Sequence, residues 1–293
     1  MTERNSISTE RRPLGLLLWI LVVVVALGLA YFLSTLIIPA PKIGVIRLDG
    51  EINDSTADYI VAQADYAKND PSIRAVVLKV NSPGGGVTPS ENLHYSLLSL
   101  RERKPLIVSI DTMAASGGYY AASAGDVIYA KPSSSVGNIG VVSLLPSQSF
   151  VDEELITTGP MKLFGSARDS YIREMEILKQ GFLRAVETQR KKQLKVGTDV
   201  LSRGELYVGV RALDAGLIDR LGTVTDAIEK AAEMAKVAHY ETVDLSNAPS
   251  VTPPASSPLN ELPVRPSQSK STGARGPQSG LYYLSIAGQE GMQ

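Results

Sequence analysis

The chain has 293 residues, a formal net charge of −1, no cysteine and two histidines, His94 and His239. The near-neutral balance offers no electrostatic surface for nucleic acid, and the lack of cysteine excludes thiol catalysis, disulfides and cysteine-ligated metals. A histidine-rich metal site is likewise excluded, and any histidine-dependent serine triad must draw on one of those two residues.

Residues 1–13 are polar and carry Arg4, Arg11 and Arg12. Leu14 to Ile38 follows without a single charged residue. A span needs about 20 apolar residues, and the apolar core of a cleaved signal is usually about 7–15 long. The run therefore predicts an uncleaved transmembrane helix over 14–38. The arginines ahead of it favour a cytoplasmic N-terminus, so the rest of the chain is expected on the extracytoplasmic side of the cell membrane. Pro39-Ala40-Pro41 ends the run.

Ile43–Leu48 then reads as a buried strand. Ser55–Lys68 has helical spacing at Ile60, Val61 and Ala64, with Asp54 or Ser55 as its cap. Ile73–Val80, rich in Val and Leu, reads as a strand of a parallel sheet covered on both faces. Asn81-Ser-Pro-Gly-Gly-Gly-Val87 is expected to be a glycine-rich loop that exposes backbone N–H groups. It lacks the Lys-Ser/Thr of a phosphate-binding loop. Thr88, Pro89 and Glu91 suggest a capped helix start. That helix runs to about Arg103 and carries His94, which reads as a packing or surface residue.

The chain is organised around Leu106–Tyr120. An apolar run, Leu106–Ile110, leads to Asp111-Thr-Met-Ala-Ala-Ser-Gly-Gly-Tyr-Tyr120. This pattern predicts a strand, a tight turn at Ser116 and a helix start. A serine there has backbone N–H groups close to its hydroxyl, where developing negative charge is stabilised. It reads either as a nucleophile or as a plain N-cap. His94 has no obvious orienting carboxylate nearby, and His239 falls near the end of the last predicted helix. A nucleophilic Ser116 therefore calls for a base other than histidine, and a lysine kept neutral by burial is the practical choice. Lys162, between Met161 and Leu163-Phe164, has an apolar setting. Lys179, beside the apolar face of a later helix, is the reserve.

Beyond the turn, Asp126–Ala130 reads as a strand. Val136-Gly-Asn-Ile-Gly-Val-Val142 reads as a glycine-punctuated strand passing close to backbone or ligand. Pro146–Leu155 is polar and unassigned, and Ile156–Phe164 reads as a short strand with a turn. Tyr171–Lys195 is the longest helix after the anchor, with Lys191, Lys192 and Lys195 at its basic end. A short helix around Val210–Ala215 closes on Gly216. Thr223–Ala238 reads as an amphipathic helix and Glu241–Leu245 as a last strand. From Asn247 to about Gly280 the composition turns to Pro, Ser, Gln and Gly, as in a flexible linker. Leu281–Ile286 is an apolar island after it, expected to dock on the domain, on a neighbouring subunit or, as an extended strand, in the active-site groove.

Asn81-Ser-Pro-Gly-Gly-Gly, Met113-Ala-Ala-Ser-Gly-Gly-Tyr-Tyr, Ala124-Gly-Asp-Val-Ile-Tyr-Ala, Val136-Gly-Asn-Ile-Gly-Val and Arg203-Gly-Glu-Leu-Tyr with Ala212-Leu-Asp-Ala-Gly-Leu-Ile-Asp occur in that order. Together they resemble the short, single-domain SppA-type signal peptide peptidases, over roughly Ile43 to Leu221. The resemblance implies an α/β, ClpP/crotonase-like fold, here with an N-terminal transmembrane helix, and a Ser/Lys dyad without cofactor or metal. It places Ser116 as nucleophile and Lys162, in Thr158-Gly-Pro-Met-Lys162, as base. Gly85 and Gly117 become the oxyanion donors. Asn138 stands where the family usually has a serine that assists the lysine; its amide oxygen can accept from an amine. The segment between Val142 and Lys162 is shorter than in the family. Domains are then 1–13 polar, 14–38 anchor, 41–247 protease, 248–280 linker and 281–293 tail. Implied partners are remnant signal peptides, other membrane-associated or unfolded chains, the membrane itself and further copies in a ring. The rival readings are a protease for one specific membrane protein, a non-catalytic scaffold of the same fold, and a crotonase-type acyl-CoA enzyme, the last disfavoured by the anchor and the Ser-Gly-Gly context.

Overall fold

The computed structural model describes residues 13–37, 40–143, 168–249, 251 and 281–284. They fall into two units, 1–40 and 41–293. The first holds helix α1 (Pro13–Ile37). Among the described residues no helix is long and apolar enough to cross a membrane. Within α1 the continuous stretch of described side chains is 18–29, all exposed, which rises roughly 18 Å.

The second unit begins with β1 (Lys42–Ile52), α2 (Asp54–Asn69) and β2 (Ile73–Gly86). Then come α3 (Val87–Arg101), β3 (Leu106–Ala115), α4 (Gly117–Ala122), β4 (Val127–Ala130), β5 (Ser135–Gly137) and β6 (Val142–Ser143). The remainder is α5 (Arg168–Arg190), α6 (Thr198–Leu201), β7 (Leu206–Val208), α7 (Gly209–Ala215), β8 (Arg220–Leu221), α8 (Val224–Ala235), β9 (Glu241–Asp244) and β10 (Leu281–Leu284).

One sheet collects the strands. Its centre is parallel, in the order β9-β1-β2-β3-β4-β8. Val45 pairs with Val77, Leu78 with Val108 and Ile107 with Val127. These Val/Ile/Leu runs are buried on both faces, as a parallel sheet covered by helices requires. On one face Ile46, Leu48, Val76, Leu78, Val108 and Ile110 share a core with Leu93 of α3, Tyr119 of α4 and Phe182 of α5. On the other, Ile43, Val45, Val77 and Ile107 pack against Ala227 and Ala231 of α8. Beyond Ile110, β3 leaves β4 and pairs through Met113–Ala115 with β5, which pairs antiparallel with β7.

Several boundaries differ from the sequence reading. β2 runs on through Gly86, so the three glycines are strand rather than loop: β1 pairs with Gly84 and Gly85 on one side and β10 with Gly84–Gly86 on the other. Because Gly86 occupies the N-cap of α3, Thr88 falls inside the first turn and no side-chain cap forms, so the Thr88/Glu91 box is absent. Asn53, not Asp54 or Ser55, caps α2 in a reciprocal box with Thr56. The Val136–Val142 strand breaks at Asn138, where φ is 55°. α8 stops at Ala235 because Lys236 turns left-handed at its C-terminus. Gly216 closes α7 in the left-handed conformation, as expected. The strand and turn read at Ile156–Phe164 lie outside the described residues.

Candidate active site

β3 delivers Ser116 to the first turn of α4. Its N–H donates to Gly137 O at 2.8 Å, and its carbonyl accepts from Tyr120 N–H at 2.9 Å. β5 on one side and α4 on the other thus fix its backbone. The resulting φ of 52° and ψ of −123° suit glycine, not serine. Holding a non-glycine residue there costs on the order of 1–3 kcal/mol. The side chain is only 1% exposed, forms no cap hydrogen bond, and Oγ has no hydrogen-bond partner among the described residues. The plain N-cap reading of Ser116 therefore fails: a capping hydroxyl accepts from the helix's free N–H groups, and this one does not.

The turn lies against the glycine end of β2. A Cβ on Gly117 would stand 3.3 Å from Gly85 N and would run into Ser90 Oγ. A Cβ on Gly118 would approach Ser82 O to 2.7 Å, and one on Gly85 would overlap Ile52 O. Two buried serines hold this edge. Ser82 Oγ donates to Gly50 O at 2.6 Å and accepts from Gly84 N–H at 3.2 Å. Ser90 Oγ donates to Gly86 O at 2.7 Å. Sequence reasoning passed over both. Their signal was position alone: Ser82 opens the Ser-Pro-Gly-Gly-Gly run, and Ser90 sits four residues past Gly86 at the start of α3.

His94 is a packing residue. It is buried beneath α4, with Nδ1 2.8 Å from Tyr120 O and its ring stacked on Tyr120 at 4.5 Å. Burial pushes its pKa down from 6.5 to about 4. His239 is exposed. Asn138, at its left-handed turn, donates its backbone N–H to Glu205 O and its Nδ2 to Gly204 O, both at 2.8 Å. Lys162, the expected base, lies outside the described residues. Lys179, the reserve, forms a surface ion pair with Glu176 at 2.6 Å on α5. Lys191, Lys192 and Lys195 are exposed. The site therefore joins Ser116, Gly117 and Gly85, with Asn138 next to the Gly137 carbonyl that holds Ser116.

A covered, mostly parallel sheet with a strained serine at the end of a central strand, facing a glycine edge of its neighbour, is consistent with a ClpP-like α/β fold. Residues 35–136 match the family described as Clp protease, and residues 99–238 match Peptidase family S49.

Similar curated proteins carry protease names. "Protease 4" of Haemophilus influenzae is 32% identical over 214 residues, 66% of this chain and 35% of that protein. "Protease 4" of Salmonella typhi is 31% identical over 247 residues, 76% and 40%. A protein of Enterococcus faecium provisionally named signal peptide peptidase SppA is 26% identical over 232 residues, 70% and 65%. The chain is similar to the S49 peptidases over residues 99–238, and it spans 35–40% of the length of the two Protease 4 relatives.

Proposed function

We propose that the chain is a membrane-anchored serine endopeptidase that cleaves remnant signal peptides and other membrane-associated or unfolded polypeptides. The observation that carries this reading is Ser116: a buried hydroxyl with no hydrogen-bond partner among the described residues, held at a cost in backbone strain. Uncompensated strain of that kind is characteristic of functional turns that present a nucleophile from a strand to a helix.

In this reading neutral Lys162 takes the Ser116 proton as Oγ attacks the scissile carbonyl. The N–H groups of Gly117 and Gly85 stabilise the oxyanion, each worth about 3 kcal/mol. The C–N bond breaks as the lysine returns the proton to the leaving amine. Lys162 then deprotonates the water that releases the acyl group from Ser116. Asn138, whose Nδ2 is tied to Gly204 O, would offer its amide oxygen to the Lys162 amine. The reaction needs neither cofactor nor metal. The Leu14–Ile38 run supports the anchor: it has 25 residues without a charge, against the roughly 20 apolar residues that a span needs. A ring of copies would bring the sites together at subunit junctions.

Hydrolysis of an unfolded peptide by the wild type is compared with Ser116→Ala and Lys162→Ala. Each variant is expected to lose at least about four orders of magnitude in rate while keeping its circular dichroism spectrum. Full activity in either one refutes the corresponding assignment.

A further inference from the structure

β3 changes partner on its way to Ser116. Ile107–Ile110 pair with β4, whereas Met113–Ala115 pair with β5. The register against β2 slips at the same place. Val80 faces Ile110 and Ser82 faces Ala114, so β3 advances four residues where β2 advances two. The surplus is a bulge at Asp111–Met113. A bulge bends its strand and re-aims the side chains beyond it, and bulges recur beside active sites. One carboxylate grips this bulge from both sides. Asp111 Oδ2 accepts from Lys79 Nζ of β2 at 3.0 Å, and Oδ1 accepts from Nζ of Lys131, the first residue after β4. Hydrogen bonds from Lys131 and then Lys79 hold the Asp111 carboxyl below the usual carboxylate range, so it is charged at neutral pH. Ser134 Oγ donates to Asp111 O at 2.6 Å and accepts from Lys131 N–H at 3.1 Å. The link Lys131–Ser134 is thus folded onto Asp111 at both ends, and β5 starts at the next residue, Ser135. β5 supplies Gly137 O, the acceptor for the Ser116 N–H.

We infer that Asp111, gripped by Lys79 and Lys131, is a positioning residue for Ser116. Its carboxylate locks the bulge and the β4–β5 link, and through Gly137 O it holds the serine in the conformation that presents the hydroxyl. The inference rests on the peptidase reading of Ser116. All three side chains of the triad are partly exposed. Ion pairs in such a setting contribute little to global stability, so loss of the charge leaves the fold standing. What it frees is the local geometry. A nucleophile displaced by about 1 Å by a distant change can lose about 100-fold in rate.

The test uses the full chain, assayed well below its melting temperature. Asp111→Asn is expected to lower kcat for an unfolded peptide by about 10–100-fold, with KM unchanged. Labelling of Ser116 by a phosphonate should slow in the same proportion. Lys131→Met should move both rates in the same direction, and Lys131→Arg, which keeps the charge, should restore them. Amide exchange supplies a readout that needs no turnover: the Ser116 N–H should exchange faster in Asp111→Asn, and the amides of the β3–β4 pairing should not. Wild-type kcat and labelling in Asp111→Asn would overturn the inference and leave the peptidase reading standing, whatever the melting temperature does. A rise in KM with kcat unchanged would overturn it too, since it would place Asp111 in substrate binding. Faster Ser116 exchange in a chain whose wild type hydrolyses nothing would uphold the clamp and overturn the peptidase reading instead.

Discussion

Ser116 and Asn138 end neighbouring strands, are joined through the Ser116 N–H to Gly137 O bond, and both have positive φ, 52° and 55°. They deal with that conformation in opposite ways. Asparagine tolerates a left-handed backbone, and Asn138 ties its own side chain to Gly204 O. Serine has no such tolerance, and Ser116 leaves its hydroxyl buried without a hydrogen bond to any described residue. Asn138 is thus a turn whose strain is compensated locally. At Ser116 the sheet and α4 hold the strain, and the hydroxyl is left available for chemistry.

The largest effect that sharpens this contrast is expected beneath the Ser116 turn, at His94. Its folded pKa is depressed to about 4 from 6.5, so the unfolded chain binds the extra proton first as pH falls. Stability is therefore full above pH 6.5 and declines towards pH 4, by about 3 kcal/mol. Urea melts across that range check this, and His94→Gln should flatten the slope; an unchanged slope in the variant would remove His94 from the account.

Next in size is Gly117→Ala. Its new Cβ meets Ser90 Oγ and Gly85 N, so it should destabilise by about 2 kcal/mol. Adding Ser90→Ala should recover part of that loss, a coupling visible in a double-mutant cycle. Strict additivity would mean that the two side chains do not meet.

The smallest effect compares the two turns directly. Ser116→Gly relieves the strain and should raise unfolding free energy by about 1 kcal/mol while ending catalysis. Asn138→Gly loses the bond to Gly204 O and should lower it by about 1 kcal/mol. Changes of the same sign in calorimetry would erase the distinction.

Much of this was legible in the sequence. The Val/Ile/Leu runs fixed the central strands because a strand covered on both faces must be apolar throughout. Ser116 stood out because strand, turn and helix signals converge there within a dozen residues. What escaped was what depends on contacts between distant segments. The glycines at 84–86 read as a loop because glycine disfavours strands, yet β1 and β10 pair with them and make them strand. The α3 cap was misplaced by two residues for the same reason, since the strand runs up to Gly86 and takes over the cap position. Ser82 and Ser90 matter through carbonyls that local propensity cannot identify. The apolar island at Leu281 suggested docking, but its register against Gly84–Gly86 comes only from the assembled sheet.

The central claim is that the hydroxyl at position 116 is the nucleophile. The most direct measurement is labelling with an active-site phosphonate, followed by mapping of the adduct by mass spectrometry. The account predicts one adduct, on Ser116, absent from Ser116→Ala and strongly slowed in Lys162→Ala. An adduct on another residue in a chain that still hydrolyses peptides would contradict it.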